Sequence, residues 1–292
     1  MKLSVCTELW LENQQEKIKA TSIRKYRQLS NWYILDNIDI PIINIDEKLV
    51  DDLIRKKLYG EKGLSAKTCN AALCVLRESL SFAVQSGYIP TNPCEKVKRL
   101  TEVKKQIEVF TPYECSLLEN YIVGKRKGNL FGVLVSLYTG VRLGELLALR
   151  WQDVDFEKGF VSINKTLSDV GEETPPKSRS STRVIPLHDR LLSLLRDKKQ
   201  TAKSDYLIET NEGQTSVRLY QGKFERLLKK LGIKHRGFHT LRHTFATRLI
   251  ESDVDVKTVS TLLGHSDFNI TLAYYVHISS EMQRRAIEKL KI

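Results

Sequence analysis

The sequence predicts a mainly α fold with a small antiparallel β-sheet, divided into a helical N-terminal domain and an α+β C-terminal domain. Residues 3 to about 86 carry helical periodicity with no strand pattern interrupting it. Downstream, only FVSINK (160–165) and RVIPL (183–187) read as strands, with the polar, proline-broken SDVGEETPPKSRSST between them. At 292 residues the chain exceeds a usual single domain of about 100–200 residues, so two domains can each bury a core.

In order, the first part reads as four helices: Leu3 to about Lys19, Ser22–Leu35, Glu47–Tyr59 and Ser65–Gln85, separated by Pro41, Gly60 and Gly63. In the fourth, Ala72, Val75, Leu76, Leu80, Ala83 and Val84 form an apolar face behind a serine cap at Ser65. Trp10, Tyr26, Trp32 and Tyr33 stand at helical spacing and are expected in the core. After Gly87, YIPTNPCEKVKRLTEVKKQIEVFTPYE loses the apolar period and gains lysines, as a linker would. The domain boundary is expected here, giving 1–105 and 106–292.

Thr111-Pro112-Tyr113-Glu114 sets a cap, a proline at the first helical position and a glutamate where a capping box needs it, so a helix runs to about Val123. Asn129–Tyr138 reads as a buried helix, and beyond Gly140 a short one carries Arg142 at its head and Glu145, Leu146, Leu147 and Leu149 along it. His188–Lys199 and Val217–Leu231 are amphipathic, the second with Leu219, Phe224, Leu227, Leu228 and Leu231 inward. The tail, Ser279–Ile292, reads as a helix with Met282, Ala286, Ile287 and Leu290 in one stripe.

Residues 238–277, FHTLRHTFATRLIESDVDVKTVSTLLGHSDFNITLAYYVH, gather His239, Arg242, His265, Tyr274 and Tyr275. Those residue types suit phosphate chemistry. Arg is a fixed cation whose donor fork matches phosphate oxygens, His moves protons near neutrality, and the Tyr hydroxyl can attack phosphorus. Thr240 or a neighbour can cap a helix bearing Leu241, Phe245 and Leu249, with His239 and Arg242 at its start, where helix N–H groups favour an anion. Asp255 starts a second helix, whose Val256, Val259, Leu262 and Leu263 share a face before Gly264, a left-handed stop that sets His265 just past its end. A third run, Ile270–Tyr275, carries the tyrosines. His239 and His243 stand at i, i+4 as in HExxH, but HTLRH lacks the glutamate and Arg242 repels a cation, so no metal or other cofactor is expected.

The net charge is +12, with 18 Lys and Arg against 13 Asp and Glu through residue 105 and 29 against 22 beyond it. A cationic excess in both parts suits a protein closing on a polyanion, although ordinary surface lysine would give the same balance. Five scattered cysteines with no CxxC read as reduced thiols. No signal peptide or run of about 18 apolar residues is present, so a cytoplasmic protein without a membrane partner is expected.

HTLRHTFAT, LLGHSDFNIT and YVH, with a tyrosine ten residues past His265, resemble in order and spacing the C-terminal signature of the tyrosine recombinases, the phage integrase family. TGVRLGELLALRW resembles its first box. The resemblance implies a catalytic domain at 106–292 and a core-binding domain at 1–105 that clasps double-stranded DNA. It implies Arg142 and Arg242 on the scissile phosphate, Glu145 supporting the site behind them, and His239 as general base or proton carrier. His265 would hydrogen-bond the phosphate, and Tyr275 would be the nucleophile, with Tyr274 the competing residue. PPKSRSSTRVIPL aligns so that Lys177 protonates the departing 5′ oxygen, with Lys165 as competitor. Strand exchange through a 3′-phosphotyrosine then needs no metal or ATP. It would use a homotetramer on specific sites, with a DNA-bending or excision factor as possible accessory. The tail helix would dock on a neighbouring protomer or on its own domain. The sequence starts almost at the core-binding helices, without room for an arm-binding domain, which points to a compact integrase of a phage or other mobile element. A chromosome-dimer resolvase, a type IB topoisomerase and an inactive DNA-binding regulator are the alternatives.

Overall fold

The structure is a computed structural model that describes residues 1–103, 108–124, 130–168, 171–175, 179–210, 213–265 and 287–288. It divides into two units, Met1–Lys105 and Gln106–Ile292.

The first unit is built on α1 (Leu3–Gln14), α2 (Ala20–Leu29), α3 (Glu47–Asp52) and α4 (Ala66–Gln85). Local chemistry starts two of them: the Asp46 carboxylate accepts from Leu49 N and the Ser65 hydroxyl from Thr68 N. Helix α1 stops at Gln14, short of the Lys19 expected, because nothing beyond Leu11 on it is buried. Helices α2 and α3 each run on into a π-helical stretch, Ser30–Leu35 and Leu53–Glu61, where backbone bonds reach five residues back. A π turn carries an extra residue and rotates the side chains after it relative to an α-helical register. Trp32 is therefore 55% exposed rather than in the core, Tyr33 is half-buried, and Tyr26 stacks on the buried Trp10 at 5.7 Å.

From Ile89 to Leu100 the segment after Gly87 is packed on the first unit rather than free as a linker. Ile89, Cys94 and Val97 join the core of the first unit. Arg77 donates to the Cys94 and Val97 carbonyls, and Asn70 bonds both the N–H and the C=O of Leu100. Side chains of α4 thus satisfy a backbone that has no regular structure of its own, which hydrophobic periodicity cannot register.

The second unit opens on the expected capping box: Thr111 N donates to Glu114 Oε2 (2.7 Å) and Glu114 N to Thr111 Oγ1 (3.1 Å), starting α5 (Pro112–Gly124). Helices α6 (Gly132–Thr139) and α7 (Leu143–Ala148) follow. A three-stranded antiparallel sheet has the order β1 (Val154–Asp155), β2 (Phe160–Ile163), β5 (Arg183–Pro186), in register Val161 to Ile185 and Ile163 to Arg183. The hairpins β3–β4 (Thr166–Leu167 with Glu173–Thr174) and β6–β7 (Glu209–Thr210 with Gly213–Gln214) are two residues long per strand, below the length at which alternation is readable. Helices α8 (Asp189–Gln200), α9 (Val217–Lys230), α10 (His239–Glu251) and α11 (Val256–Leu263) complete it.

On α9 the inward stripe is Tyr220, Phe224, Leu227 and Leu228, and Leu219, one position off it, is half-exposed. Helix α10 begins at His239 with Phe238 at the cap position, so Thr240 lies inside the first turn instead of capping it. The segment before α5 is bolted to α10: Phe110 N donates to Thr244 Oγ1 and Arg248 Nη2 to the Phe110 carbonyl. All five cysteines are free thiols. No helix among the described residues is long and apolar enough to cross a membrane.

Candidate active site

Two left-handed glycines organise the site. Gly140 ends α6 and Gly264 ends α11, each with φ 64°. A Cβ at Gly140 would lie 2.4 Å from the Phe245 ring, and one at Gly264 2.8 Å from the Ser180 carbonyl oxygen. Only glycine meets both the φ and the close approach. Helix ends leave carbonyls without intrahelical partners and with partial negative charge, which favours cations.

Arginines take those carbonyls in a crossed pattern. Arg242, from α10, donates through Nη1 to the Gly140 carbonyl (2.8 Å) and through Nη2 to the Leu263 carbonyl (2.6 Å). Arg142, at the head of α7, donates through Nη2 to the Gly264 carbonyl (3.2 Å). Each arginine is thus anchored on the far glycine turn, so two segments 100 residues apart in sequence (142 and 242) close on one another. Arg242 is 1% exposed, whereas the Arg142 side chain keeps 36% of its surface open.

Glu145 sits behind Arg142 with 3% of its side chain exposed. Its Oε1 accepts from Arg142 Nη1 (2.7 Å) and its Oε2 from the Arg142 backbone N–H (2.9 Å), which satisfies an N–H at the head of α7. A second guanidinium, that of Arg183 on β5, reaches the same carboxylate through Nη1 and Nη2 at 3.2 and 2.9 Å. Burial raises the Glu145 pKa, but the two arginines outweigh it and hold the carboxyl below its ordinary value. The sequence reading overlooked Arg183, although one signal was present. In a strand read as RVIPL, alternation places Arg183 on the same face as Ile185, and a cation on an inward face demands a buried partner.

His239, His243 and His265 complete the described part. The His239 and His243 rings meet edge-on at 4.7 Å on one face of α10. His265 follows Gly264, its backbone N–H bonded to the Ser260 carbonyl. Burial, then the neighbouring arginines, push His265 down to about 4 and hold His239 below the ordinary imidazole value. Burial, then His239, push His243 to about 4. The structure therefore brings together Arg142, Glu145, His239, Arg242 and His265. Lys177, Tyr274, Tyr275, the Ile270–Tyr275 run and all of the tail helix but Ile287 and Glu288 lie outside the described residues. Lys165 is described, and its Nζ stands 3.5 Å from the buried Asp153 carboxylate.

A mainly helical unit with a small antiparallel sheet thus sets imidazoles held below their ordinary value beside crossed arginines on two helix ends, an arrangement that could receive a phosphate. The profile of the Phage integrase family matches residues 102–282. The chain is 32% identical over 268 residues to "Tyrosine recombinase XerC-like" of Caldanaerobacter subterraneus subsp. tengcongensis, covering 80% of this chain and 68% of that protein. It is 25% identical to "Prophage integrase IntR" of Escherichia coli K12, over 92% of this chain and 74% of that one. Among solved structures, the Tn1549 transposon integrase in complex with transposon right end DNA superposes with a TM-score of 0.83 at 25% identity, covering 99% of both chains. The chain belongs to the phage integrase family and is a site-specific tyrosine recombinase.

Proposed function

We propose that this recombinase integrates or excises a phage or other mobile element, cutting and rejoining duplex DNA at specific sites. The observation that carries the chemistry is the crossed anchoring of Arg142 and Arg242 on the Gly264 and Gly140 carbonyls. It holds two fixed cations beside neutral imidazoles before any substrate arrives. Phosphoryl transfer asks mainly for positioning and charge stabilisation, which such a preset field supplies.

In this reading the Tyr275 hydroxyl attacks the scissile phosphorus, forming the O–P bond of a 3′-phosphotyrosine while the bond from phosphorus to the 5′ oxygen breaks. A phenol with pKa about 10 is a poor nucleophile until its proton leaves, and a neutral His239 can accept it. His265 donates a hydrogen bond to the phosphate, and Lys177 delivers a proton to the 5′ oxygen. Lys165 is less suited to that role because the Asp153 carboxylate already holds it. The freed 5′ hydroxyl of a partner duplex then attacks the phosphotyrosine, so the ester bond is conserved and neither ATP nor metal enters the balance. The Met1–Lys105 unit clasps the duplex, and exchange of both strands uses four protomers, with an accessory bending or excision factor setting direction.

The likeness to the Tn1549 transposon integrase over nearly the whole of both chains, and to a prophage integrase, supports the mobile-element role. The likeness to a XerC-like recombinase supports chromosome-dimer resolution as the second reading. The test incubates the purified protein with nicked duplexes tiled from DNA flanking its gene, without metal or ATP, and looks for an SDS-resistant adduct. The adduct should form with wild type and Tyr274→Phe and vanish with Tyr275→Phe. Persistence in Tyr275→Phe would reassign the nucleophile. Sites at the ends of an element support integration, and a single chromosomal site supports dimer resolution.

A further inference from the structure

We propose that Arg183 is a positioning residue for the cleavage reaction, acting through Glu145 to orient the guanidinium of Arg142 and leave its charge available to the phosphate. The inference rests on the active-site reading above.

Arg183 spends its whole fork inside the protein. Besides its two bonds to Glu145, Nη1 donates to the Ser181 carbonyl (3.0 Å) and Nε to the Leu262 carbonyl (2.7 Å). With 5% of its side chain exposed, it is not placed to meet DNA itself. The Gly264 turn packs on it so closely that an added Cβ would lie 2.9 Å from its Cδ. One side chain thus ties the strand that follows Lys177, the carboxylate behind Arg142 and the turn that leads into His265.

Arg183 also sets the charge of the cluster, apart from its packing. Arg142 and Glu145 alone form a neutral pair, and a phosphate approaching Arg142 would compete with a carboxylate that has no other cation. Arg183 makes the cluster a triad of net charge +1 and engages both Glu145 oxygens on its own account. Arg142 then keeps an orienting partner without losing its attraction for the phosphate. A planar fork is required, since an ammonium cannot span both oxygens and the Leu262 carbonyl.

The test uses the full chain carrying Arg183→Met or Arg183→Lys, each with Glu145 or Glu145→Gln. Adduct formation is timed on a nicked duplex and on the same duplex with sulfur replacing the 5′ bridging oxygen, whose thiolate leaves without an acid. The Arg142 side-chain N–H signals, assigned with Arg142→Lys, are followed by nitrogen NMR, and urea titration gives the folded fraction. Arg183→Met should slow cleavage about 100-fold on both duplexes at unchanged folded fraction and DNA affinity, and shift the Arg142 guanidinium N–H signals as Glu145 closes on Arg142 alone. Arg183→Lys should lose about tenfold. Adding Glu145→Gln should then cost little more. Unchanged Arg142 signals, a rate loss that only tracks unfolding, additive losses, or rescue by the sulfur duplex would each overturn the assignment. Should Arg183→Met fail to fold, Arg183→Lys decides by the same readings. A wild-type protein that forms no adduct would sink the active-site reading, and the Arg142 signals would still decide the role of Arg183.

Discussion

Arg183 and Glu145 meet through two hydrogen bonds of 2.9 and 3.2 Å, one to each carboxylate oxygen, with at most 5% of either side chain exposed. Removing one partner of a buried pair leaves the other charge without compensation, at about 3–5 kcal/mol. Glu145→Ala should therefore lower unfolding stability by about that much in urea titration, and Glu145→Gln by less because one carbonyl oxygen still accepts.

The two glycine turns should respond differently to the same methyl. At Gly140 the added carbon meets side chains, the Phe245 ring and Leu263, which can shift; at Gly264 it meets the Ser180 backbone. Both substitutions carry the left-handed penalty of roughly 1–2 kcal/mol. Gly264→Ala should in addition slow adduct formation more than Gly140→Ala does, because relief requires moving the turn that anchors Arg142. Equal cleavage rates in the two variants would refute this.

Acid should destabilise the protein in two windows. His243 and His265, pushed to about 4, take up protons more readily when unfolded, so their contribution is complete above about 6.5 and fades as pH falls toward 4. Glu145, held below its ordinary value, contributes above the usual carboxylate range and is lost only at lower pH. Urea midpoints from pH 7 to pH 4.5 should fall, and His243→Gln should flatten that fall. The acidic limb of the cleavage rate should lie below about 6.5, since His239 is held below the ordinary imidazole value.

The two candidate lysines separate by what each loss does. Lys165→Met strips the buried Asp153 of its cation and should reduce stability, with cleavage falling only as folding does. Lys177→Met should leave stability intact, stop cleavage of the natural duplex and regain it on the duplex with a 5′ bridging sulfur. A sulfur rescue of Lys165→Met instead would exchange their roles.

The sequence by itself determined the helical elements, the caps at Ser65, Thr111 and Asp255, the left-handed stop at Gly264 and the family signature. Each is set by residues within a few positions of one another. It misjudged Trp32 because a π turn shifts a helical register without changing composition, and it read residues after Gly87 as a linker because the groups that hold them are on α4. The tertiary structure alone decided that Arg142 and Arg242 are anchored on each other's glycine turns and that Glu145 is shared with Arg183. Those bonds join residues 38 to 122 positions apart, where the partner of a buried charge is fixed by which backbones pack together rather than by any local pattern.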